Sequence, residues 1–341
     1  MIVTLTGAYR NVGDYLIGAR AKELLKTYVD ADIVNLNRTS ITPVDYDLMN
    51  KAKAVILCGG PAYQKRIYPD VYPIDYEKII VPIIPLGLGW KSKLDDTPQN
   101  FAFTQQSLDF IKHIHSNIRF SSVRDVLTEQ MIRNQGIDNV LMTGCPAWYD
   151  LDYLDQDYVH SAQVDQVVVS MPARYHPQIP LLLGYLKNRF PDSKKIITFH
   201  HGFWPRFNRT GLISGFEFAR MSLVGMQCGF RPVDLSKDIA KLRIYDVPNS
   251  LHIGYRVHAH LYCLSHRKQS FLINEDIRGV GQAESIGLES FLASDIEIVR
   301  KIGQALDDHF SSGGEKISNA VRKMKDTFTA MVTFLQTIGS K

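Results

Sequence analysis

Short apolar runs alternate with segments of helical periodicity through the first 150 residues, and this alternation most constrains the fold. The apolar runs predict buried strands at residues 2–5, 32–36, 54–58, 82–86, 118–121 and 140–142. Helices are predicted between several of them, at residues 15–28, 104–115 and 124–134. Strands and helices that alternate in this way form a parallel sheet with helices on both faces. The predicted fold class is therefore α/β.

A second series of the same kind begins after about residue 160. It predicts strands at 166–171, 195–200, 243–247 and 269–273, and helices at 178–190, 212–228 and 256–266. Because 341 residues are long for one hydrophobic core, we expect two parallel-sheet domains, 1–150 and 166–312, with a linker at 151–165. Residues 313–341 then predict an amphipathic helix, which either packs back across the first domain or pairs two copies of the chain.

The composition, net charge and cysteine spacing limit the kind of protein this is and the kind of partner it binds. The chain has ordinary globular proportions, and its first residues lack the basic region of a signal peptide, so we expect a cytoplasmic protein. A net charge of +4 without a basic block argues against nucleic acid and favours an anionic small molecule, while a weak attraction to an acidic membrane surface stays open. The four cysteines are far apart, which predicts buried thiols and neither a zinc site nor a disulfide framework.

Three glycine loops follow predicted strands of the first domain, at residues 7–14, 58–63 and 86–90. Parallel sheets bind ligands beyond the carboxyl ends of their strands, often at a helix N-terminus, so the loops predict one rim around a sugar-like ligand. The first loop matches neither the dinucleotide fingerprint nor the P-loop, and turn geometry with a helix cap explains it equally well. Trp90 and Tyr63 are candidate stacking surfaces or packing residues.

The stretch from Gly254 to Leu288 concentrates charged groups around a predicted helix and strand, and we interpret it as the anion-binding and proton-transfer half of an active site. In a helix that begins near Arg256, that residue and His260 share a face, whereas His258 points roughly 160° from His260. Only one histidine therefore joins a given site, and the spacing leaves open which. A neutral imidazole, with a reference pKa of about 6.5, exchanges protons near neutral pH.

Arg124 follows a predicted strand of the first domain, in the sequence Ser121-Ser-Val-Arg124-Asp125. Its planar guanidinium can present a fork to a carboxylate or a phosphate at the domain cleft. A surface ion pair between Arg124 and Asp125 is the alternative that the sequence leaves open.

Taken together, the motifs resemble those of the polysaccharide pyruvyl transferase family in their order along roughly residues 1–290. The matching segments are Asn11-Val12-Gly13-Asp14, Gly59-Gly60, Gly87-Leu88-Gly89, Ser122-Val123-Arg124-Asp125, Gly144-Cys145-Pro146-Ala147 and Gly254-Tyr255-Arg256-Val257-His258-Ala259, with Asp276 following. Two departures are Pro61, where a third glycine is common, and Arg278, near a position often held by lysine. The resemblance implies two Rossmann-like domains of glycosyltransferase-B-like kind that face a cleft, with the last helix crossing back to the first domain.

The resemblance also implies a transferase that moves a pyruvate group from phosphoenolpyruvate to two hydroxyls of a sugar, giving a cyclic ketal and phosphate. It gives the catalytic role to His258, which decides between the two histidines. It places the donor on the second domain and the acceptor on the first. We expect the donor residues to be Arg124, Arg256, Asp276, Arg278 and Glu284; whether the last three contact the donor, orient His258 or hold the loop stays open. We expect the acceptor residues to be Asn11, Gly13, Asp14, Gly59, Gly60 and Trp90.

The implied acceptor is a sugar of a capsule, exopolysaccharide or cell-wall precursor, free or lipid-linked. Neither a metal nor a cofactor is expected beyond phosphoenolpyruvate as co-substrate, and the cytoplasmic enzyme could work at the inner face of the membrane. One alternative is a nucleotide-sugar-dependent glycosyltransferase or sialyltransferase-like enzyme of the same fold. Asp150-Leu151-Asp152 matches the acidic metal motif of some such enzymes, although a solvated acidic linker explains it as well. An inactive sugar-binding protein is the second alternative.

Overall fold

The computed structural model describes residues 1–7, 9–202 and 209–339, so Ala8 of the first glycine loop and the end of the 313–341 segment lie outside the described residues. The strands are β1 Ile2–Thr6, β2 Ile33–Asn37, β3 Val55–Cys58, β4 Ile83–Leu86, β5 Ser121–Val123, β6 Val140–Met142, β7 Gln166–Ser170, β8 Lys194–Phe199, β9 Arg231–Asp234, β10 Ser250–Gly254, β11 Gln269–Asn274 and β12 Phe291–Leu292. The helices are α1 Val12–Val29, α2 Pro43–Asn50, α3 Gln105–Ser116, α4 Val126–Arg133, α5 Ile179–Arg189, α6 Arg209–Gln227, α7 Val257–Ser265, α8 Ile277–Ile286, α9 Ile298–Ser311 and α10 Glu315–Gly339.

The first half of the chain forms a parallel sheet in the order β2-β1-β3-β4, and β5 pairs with β6 beside it. A bridge between Leu88 and Val123 joins β5 to the segment that follows β4. Strand β1 is buried on both faces: Ile2 packs into the cluster that contains α1, and Val3 packs into the cluster on the other face. This two-sided burial explains why apolar side chains lie on both faces of the strand and do not alternate with exposed polar ones.

The second half forms a six-stranded parallel sheet in the order β12-β11-β10-β7-β8-β9. The α/β class with two parallel sheets is therefore confirmed. The prediction of a strand at residues 243–247 is wrong, because this segment includes the end of a 3₁₀ helix, Ile239–Tyr245. The strands β9 and β10 lie on either side of that helix. A short apolar run fits a buried helical turn as well as a strand. Strand β10 was not predicted because Ser250 and His252 interrupt its apolar pattern, although both side chains are buried.

Helix α10 crosses back to the first half of the chain, as the resemblance implied. Its apolar face lies in the same cluster as α1, where the Tyr28 and Phe328 rings meet edge to face with their centroids 5.8 Å apart. Phe328 also meets Tyr149, at 4.9 Å, just after β6. Strand β6 ends before residue 150 and β7 begins at residue 166, but the exact domain bounds stay a prediction.

Asp150 does not belong to a solvated acidic linker, because its side chain is 4% exposed. Its carboxylate pairs with Arg20 of α1 and lies 2.8 Å from Nε2 of His266, the residue that ends α7. The His266 ring stacks between Tyr153 and Tyr262, with centroid distances of 4.4 and 4.0 Å. We call Arg20, Asp150 and His266 the junction cluster; it connects helices from both halves and gives the 150–152 motif a structural role.

Neither a metal centre nor a membrane span is found in the part of the chain that the structure describes. No group of three or more histidine, cysteine or acidic side chains there could hold a metal ion. No described helix is both long and apolar enough to cross a bilayer. Cys58, Cys145 and Cys263 are buried thiols, and Cys228 is partly buried.

Candidate active site

Side chains from both halves of the chain line one central cavity of about 330 Å³. They come from the segments after the carboxyl ends of β1, β2, β3, β4, β5, β7, β8, β10 and β11. This is where parallel sheets place their ligands. The charged and titratable side chains in the lining are Asp14, Arg38, Lys91, Arg124, His200, His201, Tyr255, Arg256, His258, Glu275, Asp276 and Arg278.

His258 enters the cavity from the first turn of α7 and meets the start of α1 there. A Cβ atom added at Gly13 would lie 2.4 Å from His258 Nδ1, so only glycine lets the two helices approach this closely. The other ring nitrogen, Nε2, is buried and has no hydrogen-bond partner among the described residues. It is therefore free for a ligand. Burial lowers the pKa of His258 to about 3, and Arg124, Arg278 and Arg256 lower it in the same direction, so the ring is neutral in the free site.

His260 points away from the cavity. Its Nδ1 lies 2.7 Å from the hydroxyl of Ser270 on β11, and the side chain is buried. The two histidines therefore have separate surroundings, as the helical spacing predicted, and His258 is the one in the cavity.

Arg256 is the N-cap residue of α7 and is held at two points. Its backbone N–H donates to Ser170 Oγ at 3.1 Å, and its Nε donates to the Met171 carbonyl at 2.8 Å. With Nε committed, the two terminal amino groups of the guanidinium are left for a ligand in the cavity.

Arg124 is buried and reaches the cavity from the first half of the chain. Its Nε pairs with Asp125 at 3.1 Å and its Nη2 donates to the Trp90 carbonyl at 3.3 Å. The side chain passes over Gly89, where a Cβ would lie 1.8 Å from Nε. The Arg124–Asp125 pair is therefore buried beside the cavity, not on the surface.

Asp276 and Arg278 line the cavity as a pair at the start of α8. Asp276 is the N-cap residue and accepts a bond from the Arg278 backbone N–H. The Arg278 guanidinium also holds the same carboxylate at 2.6 to 2.9 Å. Glu284 does not join them, because it lies on an exposed face of α8 outside the lining. A donor-binding role for Glu284 therefore has no geometric support.

Five of the six predicted acceptor residues fall into three groups, and the sixth, Gly13, lies against the His258 ring outside the lining. Asn11 and Asp14 line the central cavity, and the Asn11 side chain caps α1 by accepting from the Gly13 N–H at 3.2 Å. Burial raises the pKa of Asp14 to about 6, although Arg38, Asn11 and Arg278 favour its charged form. Gly59 and Gly60 line a small side pocket that shares Asp14 and Arg38 with the cavity.

Trp90, the remaining acceptor prediction, is 1% exposed and lies in the hydrophobic core. Its ring meets Phe101 edge to face at 5.3 Å, and its backbone N–H donates to Thr128 Oγ1 at 2.9 Å. The structure contradicts a stacking role for Trp90 because no ring face reaches the cavity. Tyr63 is buried to the same degree.

Sequence reasoning missed several lining residues, chiefly Arg38, Lys91, His200 and Glu275. The guanidinium of Arg38 lies over the Tyr72 ring, 5.1 Å from its centroid. Each missed residue ends a predicted strand or loop or follows one within two residues. This location at the end of a strand could have identified them, because the carboxyl ends of parallel strands share one edge of the sheet, where ligands bind.

An open groove of about 990 Å³ continues from the cavity and shares Lys91, Glu275 and Asp276 with it. Most of its wall comes from the polar segment between β4 and α3. Lysine, carboxylate, amide and hydroxyl side chains are mixed along it, namely Gln64, Lys65, Ser92, Lys93, Asp95, Asp96, Asn100 and Ser294.

Solved structures with the same fold span nearly the whole chain at low identity. A glycosyltransferase from Rickettsia africae covers 98% of this chain and 98% of its own, with 10% identity and a TM-score of 0.52. HepE from Anabaena, in complex with UDP and glucose, covers 98% and 96%, with 12% identity and a TM-score of 0.52. UDP-GlcNAc 2-epimerase from Neisseria meningitidis, bound to UDP-GlcNAc, covers 96% and 99%, with 9% identity and a TM-score of 0.53. These likenesses confirm a glycosyltransferase-B-like fold and nothing finer.

Sequence comparison identifies the family. No curated protein matches the chain. The family model of the polysaccharide pyruvyl transferases, however, matches residues 11–204, more than half of the 341 residues. This match includes the end of the first glycine loop from Asn11, Arg124 and the segment that joins the two sheets. The chain is therefore a transferase that belongs to the polysaccharide pyruvyl transferase family.

Proposed function

We propose that the protein transfers a pyruvate group from phosphoenolpyruvate to two hydroxyls of a sugar in a polysaccharide or glycan precursor, forming a cyclic ketal and releasing phosphate. One observation carries the proposal: His258 with an unpartnered ring nitrogen shares a cavity with Arg124 and Arg256. The family membership supports a polysaccharide-modifying transferase, and the charges of the cavity support an anionic donor.

The donor carries a carboxylate and a phosphate, which suit two arginines. Arg256 offers its terminal amino groups, and Arg124 offers the part of its guanidinium that Asp125 and Trp90 do not occupy. Planar guanidinium groups bind both kinds of anion in bidentate fashion. The guanidinium of Arg278 already binds Asp276. Arg278 therefore acts on the donor mainly through its positive charge and less through direct hydrogen bonds.

The chemistry begins with His258. The histidine donates a proton to the methylene carbon of the donor, the adjacent carbon becomes cationic, and a sugar hydroxyl attacks it. Phosphate leaves with the electron pair of its C–O bond, and a second hydroxyl closes the ring. The pKa of His258, about 3 in the free site, rises when the anionic donor binds, because opposite charges stabilise the imidazolium. Donor binding therefore precedes proton transfer.

The open groove is the proposed path of the acceptor. It meets the cavity at Lys91, Glu275 and Asp276, on the side where the two halves face each other. Its mixed lysines, carboxylates and amides suit the hydroxyls of a glycan, and sugars that extend beyond the reacting residue would lie along it.

The test is phosphate release from phosphoenolpyruvate across a panel of acceptor sugars, with NMR detection of the ketal carbon. A folded His258→Asn enzyme should lose about 10² to 10⁴ in rate, the usual contribution of general acid catalysis. His113→Asn is the matched control, since His113 lies on α3 outside the cavity and should keep the wild-type rate.

A His258→Asn enzyme that transfers pyruvate at the wild-type rate would remove the histidine from this role. Calorimetry separates the other functions. Tight binding of a nucleotide sugar with none of phosphoenolpyruvate would favour a glycosyltransferase, and acceptor binding without any phosphate release would favour a sugar-binding protein.

A further inference from the structure

The proposed reaction needs a second proton-transfer group besides His258. The donor carbon gains a proton, but each sugar hydroxyl that attacks must lose one. A general base that takes the hydroxyl proton has to face the cavity within reach of the same reacting carbon as His258.

Asp14 lies where such a base would act. It is the third residue of α1 and lines the central cavity from the first half of the chain. At its neighbour Gly13, an added Cβ would lie only 2.4 Å from Nδ1 of His258. Carboxyl and imidazole therefore reach the cavity from opposite halves, at the point where α1 and α7 meet.

Of the three carboxylates in the lining, Asp14 is the one left for a substrate. Asp276 is held by Arg278 through both of its oxygens, and Glu275 lies 3.5 Å from Nε2 of His176. Asp14 has the Asn11 side chain as its hydrogen-bond partner and feels the charges of Arg38 and Arg278. Asp14 forms no ion pair within 4.0 Å among the described residues.

We infer that Asp14 is the general base that accepts the proton of the attacking acceptor hydroxyl, an assignment that rests on the proposed function. The O–H bond breaks as its electron pair forms the new C–O bond to the donor carbon. Asp14 passes this proton to the departing phosphate, and the proton of the second hydroxyl restores His258. The two protons lost by the sugar thus equal the one gained by the new methyl group and the one gained by phosphate.

The electrostatics of the two groups fit this division once the anionic donor is bound. Burial raises the pKa of Asp14 to about 6 and lowers that of His258 to about 3, so one environment pushes a carboxyl and an imidazole in opposite directions. The bound donor raises the pKa of His258, because its negative charges stabilise the imidazolium, and the histidine then acts as the acid. A carboxylate with a pKa near 6 is mostly ionised at pH 7 and accepts a proton more readily than an ordinary one.

The experiment compares Asp14→Asn and Asp14→Glu with the wild type in the phosphate-release assay, with thermal unfolding as a check of the fold. Asp14→Asn should lower kcat by about 10² to 10⁴, while calorimetric affinity for phosphoenolpyruvate stays close to that of the wild type. Asp14→Glu should recover part of the rate. The wild-type kcat at saturating phosphoenolpyruvate should fall as the pH drops through the pKa of Asp14, which is about 6 in the free site, and this acidic limb should vanish in Asp14→Asn.

The outcomes separate the two proposals. If the wild type releases phosphate and Asp14→Asn is as fast, or keeps the acidic limb, the role of Asp14 is overturned and the proposed function stands. If Asp14→Asn fails only because it no longer binds phosphoenolpyruvate, Asp14 is a donor ligand and not the base. A wild type that releases no phosphate with any acceptor overturns the proposed function, and the role of Asp14 with it.

Discussion

At the scale of single residues, close packing determines which side chains the site tolerates. Gly13 and Gly89 have no side chain because His258 and Arg124 occupy the space that a Cβ would need. The imidazole proposed as catalytic and the guanidinium proposed to bind the donor are each held against a backbone that cannot carry a larger residue. The glycines of the family motifs therefore position functional side chains from other elements, in addition to shaping their own turns.

Gly13→Ala tests this relationship directly. The added methyl group would lie 2.4 Å from His258 Nδ1, so we expect the imidazole to move and the rate to fall by at least about tenfold, since small misplacements at a reacting centre are costly. The measurement is phosphate release, together with thermal unfolding.

Gly18→Ala is the matched control on the same helix. Its Cβ would lie 3.6 Å from Thr6 Cγ2, an ordinary contact, and alanine favours a helix over glycine by about 1 kcal/mol. This variant should be as active as the wild type and at least as stable. Equal activity of both variants would contradict the positioning role of Gly13.

At the scale of secondary-structure elements, the site depends on how α1, α7 and α8 begin. Each starts after a strand, with Asn11, Arg256 and Asp276 as the N-cap residues; the side chains of Asn11 and Asp276 accept a hydrogen bond from the first turn, whereas that of Arg256 does not cap its helix. Arg256 is supported from below by β7 and β10, where Ser170 Oγ lies 2.8 Å from Nε2 of the buried His252. His252, a polar residue of β10, thus supports the backbone of Arg256, the proposed donor-binding residue, through Ser170.

The junction cluster connects α1, the segment after β6 and the end of α7. Asp150→Asn removes a buried carboxylate from Arg20 and His266, and loss of one partner of a buried ion pair typically costs about 3 kcal/mol. We therefore expect a clearly lower urea midpoint.

Asp155→Asn serves as the control for this change, because Asp155 is 96% exposed and only 3.7 Å from Lys325. A surface pair of this kind contributes little to stability. If the two variants unfold at the same urea concentration, the junction cluster does not stabilise the fold.

At the scale of the whole molecule, the fold buries several histidine side chains. Burial lowers the pKa of His258 and His260 to about 3 and that of His309 to about 4, and lowers the pKa values of His115, His200 and His252 as well. In the unfolded chain each of these imidazoles takes up a proton below its ordinary pKa of 6.5. The stability that these residues provide is therefore present above pH 6.5 and lost as the pH falls towards their folded values.

We expect the unfolding temperature to drop by roughly 5 to 10 °C between pH 7 and pH 5, since each proton taken up only by the unfolded chain favours unfolding. Asp14 opposes this trend, because its raised pKa lets the folded chain bind a proton between pH 3.8 and about 6. Calorimetric scans in buffers of equal ionic strength provide the measurement. An unfolding temperature that is flat or rises towards pH 5 would contradict the neutral state of the buried histidines.

The sequence determined the elements and their chemistry. Apolar runs such as residues 54–58 and 82–86 became buried parallel strands, because burial on both faces requires a continuous apolar side-chain pattern. The helical period of α7 separated His258 from His260, and the order of the motifs indicated the family. All of these are local or periodic properties, so a linear chain displays them.

Only the tertiary structure decided which of the chemically suitable residues meet. Arg38 and Asp14 face one cavity, Trp90 is enclosed in the core, Glu284 points outward, and Asp150 joins two helices. Residues of the same type, such as Asp14 and Asp150, have different surroundings because burial and proximity depend on how α1, α7 and α8 pack against one another. That packing results from contacts between residues far apart in the chain, which no local pattern specifies.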